Sequence, residues 1–346
     1  MRPVELTIAR LMLPLRRPYV LSFGTLHQFD SFVAIARFED GSIGLGESCP
    51  LPGYSHETKE LLAASYARLA VDHDLAGFYE RHRNDPFVTS PVLTALEGPT
   101  AAHVTGRVPI CPILQWDRID EIPSQIAKLA AQGNAVAKVK LSADECETRE
   151  TIEAVRSTSA AMKFRYDANQ AFDFDHAAKT VRWLDHPSTQ LLEQPFGIDA
   201  WEEMTKLHAA SPIPLMLDES IFDAMDVRRA ASCAAFVKFK LMKNGSPKQL
   251  GSLIRLARSL GLEVILGNGV QGPIGCWLEG MTQIECGLAH AGEMNGCRKV
   301  KDDRLGLTLR DDGLAFELPQ SVDVASLANK VLEQAEETWL SWRQVY

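Results

Sequence analysis

The chain has 346 residues, of which 46% are hydrophobic and 23% charged, a balance that excludes a disordered chain or a disulfide-stapled mini-protein and leaves room for two or three domains around a large core. Lys plus Arg number 36 against 45 Asp plus Glu, a formal net charge of −9, so no broad basic surface exists to neutralise phosphates and no nucleic-acid partner is expected. There is no apolar run of about 18 residues and no apolar leader behind Met1-Arg2-Pro3, which points to a cytoplasmic chain with no membrane partner. The seven cysteines are scattered and never spaced C-x-x-C, so they read as free thiols rather than a zinc or redox motif.

Taken in chain order, residues 4–13, 31–38 and 43–47 read as strands around a polar turn at Glu39-Asp40-Gly41-Ser42, an antiparallel meander. Residues 57–83 carry a helical pattern with Leu62, Tyr66 and Leu69 on one side, and a second helical stretch is expected over 91–104. Residues 1–107 therefore read as an α+β unit. From 108 onward short apolar runs, each followed by a polar turn and a helical stretch, recur at 108–114, 135–141, 163–168, 190–194, 214–219, 235–241, 263–267 and 291–296. That alternation predicts parallel strands closed into a (β/α)8-type barrel, and no G-x-G-x-x-G follows a first strand to support a doubly wound alternative. Within it, Ser246 and Gln249 form a capping box, Pro247 opens a helix and Gly261 closes it.

A barrel of this kind builds its site at the carboxyl ends of its strands. The polar residues late in the runs are Lys138 and Lys140, Asp167 and Asn169, Glu193, Asp218, and Lys238 and Lys240. Side chains alternate along a strand, so each i, i+2 pair faces one way. Three carboxylates on consecutive strands would repel one another in a half-buried pocket unless a cation lay among them, and an all-oxygen set suits Mg²⁺ better than Zn²⁺. Lysines inside a barrel strand are costly to charge, which predicts pKa values lowered toward a working general base. A substrate carboxylate on the ion would present its α-carbon between Lys140 and Lys240, one on each face, an arrangement suited to abstraction of the α-proton.

The motifs Ala137-Lys138-Val139-Lys140-Leu141, Tyr166-Asp167-Ala168-Asn169-Gln170, Leu192-Glu193-Gln194-Pro195, Leu217-Asp218-Glu219-Ser220 and Lys240-Leu241-Met242-Lys243-Asn244-Gly245 resemble, in order and spacing, those of the enolase superfamily and within it the muconate lactonizing enzyme subgroup. The resemblance implies a modified TIM barrel over 108–309, with 1–107, completed by 310–346, as an α+β capping domain. It implies Asp167, Glu193 and Asp218 as ligands of Mg²⁺, with Mn²⁺ as a substitute, and Glu219 turned away from the ion. Lys140 becomes the base on one face, Lys138 its neighbour at the substrate carboxylate, and Lys240 the acid or base on the other face.

Substrate contacts implied in the same way are Asn169, Lys238, Asn268 and Glu293, with Ser22 and Tyr54 from the capping loops. Lys238 stands where relatives often have asparagine, an extra inward cation that would favour a more anionic substrate. The Asp-x-Asp of dipeptide epimerases is replaced by Gly292-Glu293-Met294, which argues against a dipeptide, whereas Glu293 resembles the acid of muconate cycloisomerases. The resemblance thus implies a homo-oligomeric isomerase of a small carboxylate, a racemase, epimerase or cycloisomerase acting through an enediolate. Alternatives on the same scaffold are a dehydratase or o-succinylbenzoate synthase, and a binding protein without catalysis. The nine histidines read as surface or core residues.

Overall fold

The computed structural model describes residues 1–21, 24–51, 55–100, 103–158, 161–301 and 304–343. Strands follow in chain order as β1 (Pro3–Leu21), β2 (Gly24–Phe38), β3 (Ile43–Ser48), β4 (Gly106–Pro109), β5 (Val136–Lys140), β6 (Lys163–Asp167), β7 (Thr189–Glu193), β8 (Leu215–Leu217), β9 (Phe236–Phe239), β10 (Glu263–Leu266), β11 (Arg310–Asp311), β12 (Ala315–Leu318) and β13 (Glu337–Arg343). No described helix is long and apolar enough to cross a membrane.

The N-terminal meander forms, with β1 and β2 running well past the expected ends into one long hairpin, and β13 returns to pair with β1 in the order β13-β1-β2-β3. Alternate residues Leu6, Ile8, Phe32, Ala34 and Ala36 bury one face of this sheet against Leu62, Tyr66, Leu69, Phe78 and Val92 from the helices. The helical pattern over 57–83 is two helices, Lys59–Asp72 and Leu75–Arg81, because His73 takes a left-handed φ of 51° and Asp74 caps the next helix at Gly77. The helix expected over 91–104 is Pro86–Leu96, with Pro91 inside it.

Six parallel strands form one curled sheet in the order β10-β9-β8-β7-β6-β5. Its helices carry their apolar stripe inward: Pro247–Ser259 has the expected capping box between Ser246 and Gln249 and buries Leu250, Ile254 and Ala257, while Gly261 at φ 81° follows its end. The expected strands at 108–114 and 291–296 are corrected. Residues 106–109 pair antiparallel with β12, so the first run is diverted into a small sheet β11-β12-β4. Among the described residues it continues as single parallel bridges, Ile113 to Lys138 and Ile110 to Gly292, and Glu293 N donates to Leu266 O at 2.8 Å. Pro109 and Pro112 cannot donate to a ladder, which limits this stretch to isolated pairings. The result is a TIM-barrel-like sheet beneath a capping layer.

Register sets what lies inside it. Lys140 is level with Asp167, and Asp167 with Glu193, while Glu193 is level with Met216, and Met216 with Phe236. Leu191, Met216, Phe236 and Ile265 share one separate apolar cluster, and the charged groups come one or two steps later on the same strands. The interior is thus an apolar floor with an ionic layer above it.

The capping layer is tied to that end of the sheet by Ser90 Oγ, which donates to the carbonyls of Leu241 (2.9 Å) and Gly245 (3.0 Å). Buried Glu47 adds a second tie, accepting from Ser31 Oγ and from Gly275 N at the start of helix Pro273–Glu285, each at 2.5 Å, where a carboxylate also meets the positive end of the helix dipole.

Candidate active site

Two ends of the parallel strands are strained in a way that aims side chains. Asn169 and Gln194, each just beyond a strand, have φ of 43° and 36°, conformations costing about 1 kcal/mol or more for a non-glycine residue. The surroundings over-determine both. Asn169 N donates to Asp167 Oδ1 at 2.9 Å. Gln194 is buried, its Oε1 accepting from Asp218 N (2.9 Å) and Ser220 N (3.3 Å) while its Nε2 donates to Phe196 O and Ser220 Oγ.

Asp167, Glu193 and Asp218 are all buried, and strand lysines join them. Lys138 Nζ lies 2.8 Å from Asp167, 2.6 Å from Glu193 and 3.0 Å from Glu293. Lys238 Nζ lies 3.0 Å from Glu193, 3.3 Å from Asp218 and 2.6 Å from Glu293. Lys140 reaches Asp167 at 2.6 Å and also Asn169 Oδ1, and Lys240 reaches Asp218 at 2.7 Å. All of the expected acids and lysines therefore meet in one layer, with Asn169 at its edge.

Two members of the layer, Arg165 and Lys243, have no role in the sequence reading. Arg165, two residues before Asp167 on the same face, holds Glu293 at 3.1 Å; the i, i+2 alternation that singled out Asp167 and Asn169 also marks it. Lys243, one helical turn after Lys240, donates to the Asp218 carbonyl and to Asp218 Oδ1 at 3.1 Å. Glu219 Oε1 accepts from Asn169 Nδ2 at 3.2 Å, so Asn169 links it to Lys140.

The expected lowering of the lysine pKa values is corrected for three of the inward lysines. Burial pushes Lys138, Lys238 and Lys240 down, but the carboxylates in contact with each outweigh it and hold all three above the ordinary lysine value. Burial dominates at Lys243, which falls to about 8. Burial and the Asp167 charge push Glu193 up, while Lys138 and Lys238 pull against them. Burial also opposes ionisation of Asp218, but Lys240, Lys238 and Lys243 hold it well below the carboxylate range.

Of the other expected contacts, Asn268 is buried, with Oδ1 accepting from Val270 N at 2.8 Å and Nδ2 without a hydrogen-bond partner. Ser22 and Tyr54 lie outside the described residues. Among the described residues, the one group of metal-type ligands drawn within 4.8 Å of one another is His56, Glu57 and Asp85 in the capping layer. Hydrogen bonds of His56 (2.9 Å) and His82 (2.8 Å) to Asp85 account for its closeness.

A curled parallel sheet bearing carboxylates and lysines at the carboxyl ends of its strands defines an α/β enzyme of the TIM-barrel type. Residues 121–317, more than half of the chain, match the enolase C-terminal domain-like family, and the chain belongs to it. It is similar to an L-Ala-D/L-amino acid epimerase of Pedosphaera parvula, 27% identical over 80% of this chain and 85% of that one. It is likewise similar to muconate cycloisomerase 1 of Pseudomonas putida, 24% identical over 79% and 80%. Among solved structures, the N-succinyl Arg/Lys racemase of Bacillus cereus superposes with a TM-score of 0.81 at 20% identity, covering 98% of this chain and 100% of that one. A dipeptide epimerase of Enterococcus faecalis complexed with Mg and a dipeptide superposes with a TM-score of 0.80 at 17% identity, covering 93% and 98%. These relatives place the chain among the isomerases of the enolase superfamily.

Proposed function

We propose that the chain is a Mg²⁺-dependent racemase or epimerase that removes and replaces the proton α to the carboxylate of a small substrate. The observation that carries this reading is that Lys140 and Lys240, on strands at either side of the carboxylate row, both reach into it, at Asp167 (2.6 Å) and Asp218 (2.7 Å). The donor set fits a hard divalent ion, since Asp167, Glu193 and Asp218 are buried carboxylates on consecutive strands, with neither imidazole nor thiolate in the row. These three residues would hold the ion, and when bound it supplies Lewis-acid stabilisation of negative charge on a substrate carboxylate.

The chain's own groups divide the remaining work by depth. Lys138 has 3% of its side chain exposed and is locked among three carboxylates, whereas Lys140 has 33% exposed. Lys140 takes the α-proton as its neutral amine, and the C–H bonding pair moves into the carboxylate to give an enediolate. Lys240 then delivers a proton to the opposite face, inverting the centre. Lys138 and Lys238 keep the acids charged and in place.

The test is solvent deuterium exchange followed by NMR. Lys140→Ala should lose ~10³-fold or more in turnover, and Lys240→Ala should still exchange one enantiomer without interconverting the two. Normal exchange in Lys140→Ala would overturn the assignment. Calorimetry with Mg²⁺ should show one site, weakened at least ~10-fold in Asp218→Asn. A second reading, a cycloisomerase, is favoured by Glu293, and it predicts that Lys240→Ala slows exchange and turnover equally.

A further inference from the structure

Lys299, at the end of the short helix Gly296–Lys299, plays no part in the ionic layer, and the sequence motifs pass over it. It stands at the carboxyl ends of the strands all the same. Its Nζ donates to the carbonyl of Gly269, three residues beyond β10, at 2.6 Å. It also sits 3.7 Å from the centroid of the Tyr19 ring, which the capping strand β1 brings over it.

Both sides of the segment are fixed. Leu15 forms a bridge with Val300, Lys301 N donates to Pro14 O at 2.7 Å, and Arg16 Nε donates to Val300 O at 2.8 Å. A lysine held this firmly, with an aromatic face and a carbonyl as its neighbours, has no carboxylate within ion-pair distance among the described residues. Beside it in sequence to Gly269, buried Asn268 keeps Nδ2 without a partner. On the seventh-strand and eighth-strand side of the mouth, Asn268 Nδ2 is thus without an acceptor, and Lys299 donates to a neutral carbonyl rather than to a carboxylate. Burial holds the Lys299 pKa below the ordinary lysine value, and the Lys140 charge adds to that effect, which places the ammonium within electrostatic reach of the base.

We propose that Lys299, with Asn268 Nδ2, forms a subsite for a second anionic group at the far end of the substrate, so that the enzyme takes acids carrying a carboxylate remote from the reacting one. This rests on the reading of Lys140 and Lys240 given above and extends it to a substrate class. Charge complementarity excludes the alternative of a remote ammonium at this position. Glu293, the acid of the eighth-strand segment, already accepts from Lys138, Lys238 and Arg165. Glu219, whose Oε2 has no partner, is held by Asn169 on the other side of the row. A carboxylate on Lys299 would exchange its neutral carbonyl partner for a charged one, and charge-assisted bonds are about twice as strong as neutral ones.

The experiment uses the full chain with Mg²⁺ and matched pairs of N-succinyl and N-acetyl amino acids, with cis,cis-muconate as a second type of diacid. Exchange at the α-carbon and calorimetric binding to an otherwise intact Lys140→Ala chain are both read. Wild type should prefer the succinyl member at least ~10-fold in kcat/KM, or bind muconate in preference to a monoacid of like size. Lys299→Met should erase that preference by raising KM for the diacid, leaving kcat and the N-acetyl substrates unchanged, and Lys299→Arg should retain it. A circular-dichroism melt checks that Lys299→Met is folded, and the arginine variant carries the test if it is not. Equal treatment of diacids and monoacids by wild type, or an unchanged preference in Lys299→Met, overturns the subsite while leaving proton abstraction intact. Lys299-dependent binding of a diacid without exchange at any α-carbon would support the subsite and overturn the racemase reading instead.

Discussion

Replacing Glu293 by glutamine tests whether the interior layer is held together by its charges. Glutamine keeps the shape and one acceptor but removes the negative charge shared by Lys138 (3.0 Å), Lys238 (2.6 Å) and Arg165 (3.1 Å), all nearly inaccessible to solvent. Breaking a buried ion pair by changing one partner costs ~3–5 kcal/mol. The low end applies here, since every cation keeps another partner: Lys138 has Asp167 and Glu193, Lys238 has Glu193 and Asp218, and Arg165 donates to Gln190 and to the Ala291 carbonyl. With an unfolding entropy of ~2.1 cal/mol/K per residue over 346 residues, ~3 kcal/mol corresponds to a fall in Tm of ~4 °C. Differential scanning calorimetry and urea titration measure it. Glu263→Gln, whose carboxylate meets His290 at an exposed pair, should cost at most ~1 kcal/mol. Adding Lys238→Met to Glu293→Gln removes the surplus cation and should leave the double variant ~1 kcal/mol or more better than the sum of the singles. A loss below ~1 kcal/mol in Glu293→Gln, or strict additivity in the pair, would refute the charge argument.

Two further outcomes are expected. Gly267 has φ 138°, and a Cβ there would lie 2.4 Å from Glu293 N, so Gly267→Ala should destabilise by ~2 kcal/mol or more; a urea midpoint unchanged from wild type would contradict this close approach. Burial pushes Glu279 up to about 8, its Oε1 accepting from Leu241 N while its Oε2 has no partner. The unfolded chain titrates near 4.3, so the folded state binds the extra proton between those values, and stability falls as pH rises through that window by up to ~1.4 kcal/mol per unit. Glu279→Gln should flatten that slope and be the more stable form at pH 9, and parallel curves for the two proteins would count against it.

What the sequence discloses follows the range of the forces involved. The six strands β5 to β10 are legible because each is a short apolar run with its own helix and turn, and the inward direction of Lys138, Lys140, Asp167, Lys238 and Lys240 follows from a period of two. The pairing of β4 with β12 joins residues some two hundred positions apart, and no local pattern announces it. His73 breaks a helix without a glycine or proline to mark the break. The lysine pKa values were misjudged for a physical reason. Burial and a nearby ion both lower a lysine pKa, whereas the carboxylates that would hold the ion are themselves the lysines' nearest partners and raise it. Lys299 is silent in sequence because a lysine on a short helix reads as a solvated residue, and only the return of β1 over it supplies the Tyr19 face.

The two K-x-K strands show how a strand period can become a division of labour. Two residues along a strand advance ~6.6 Å while returning to the same face, so Lys138 and Lys238 lie one step nearer the apolar floor than Lys140 and Lys240. That step changes the environment more than the residue type does. At the lower level each ammonium is enclosed by three carboxylates, with 3% and 5% of its side chain exposed, and a cation so enclosed is held charged and cannot accept a proton. At the upper level Lys140 meets Asp167 and is a third exposed, which puts its amine within reach of a substrate. On the proposed reading the lower pair keeps the acids ionised and positioned and the upper pair does the proton transfer. Moving the upper lysine a further two residues along, as in Lys140→Met with Ser142→Lys, would therefore lose catalysis even with the charge count unchanged.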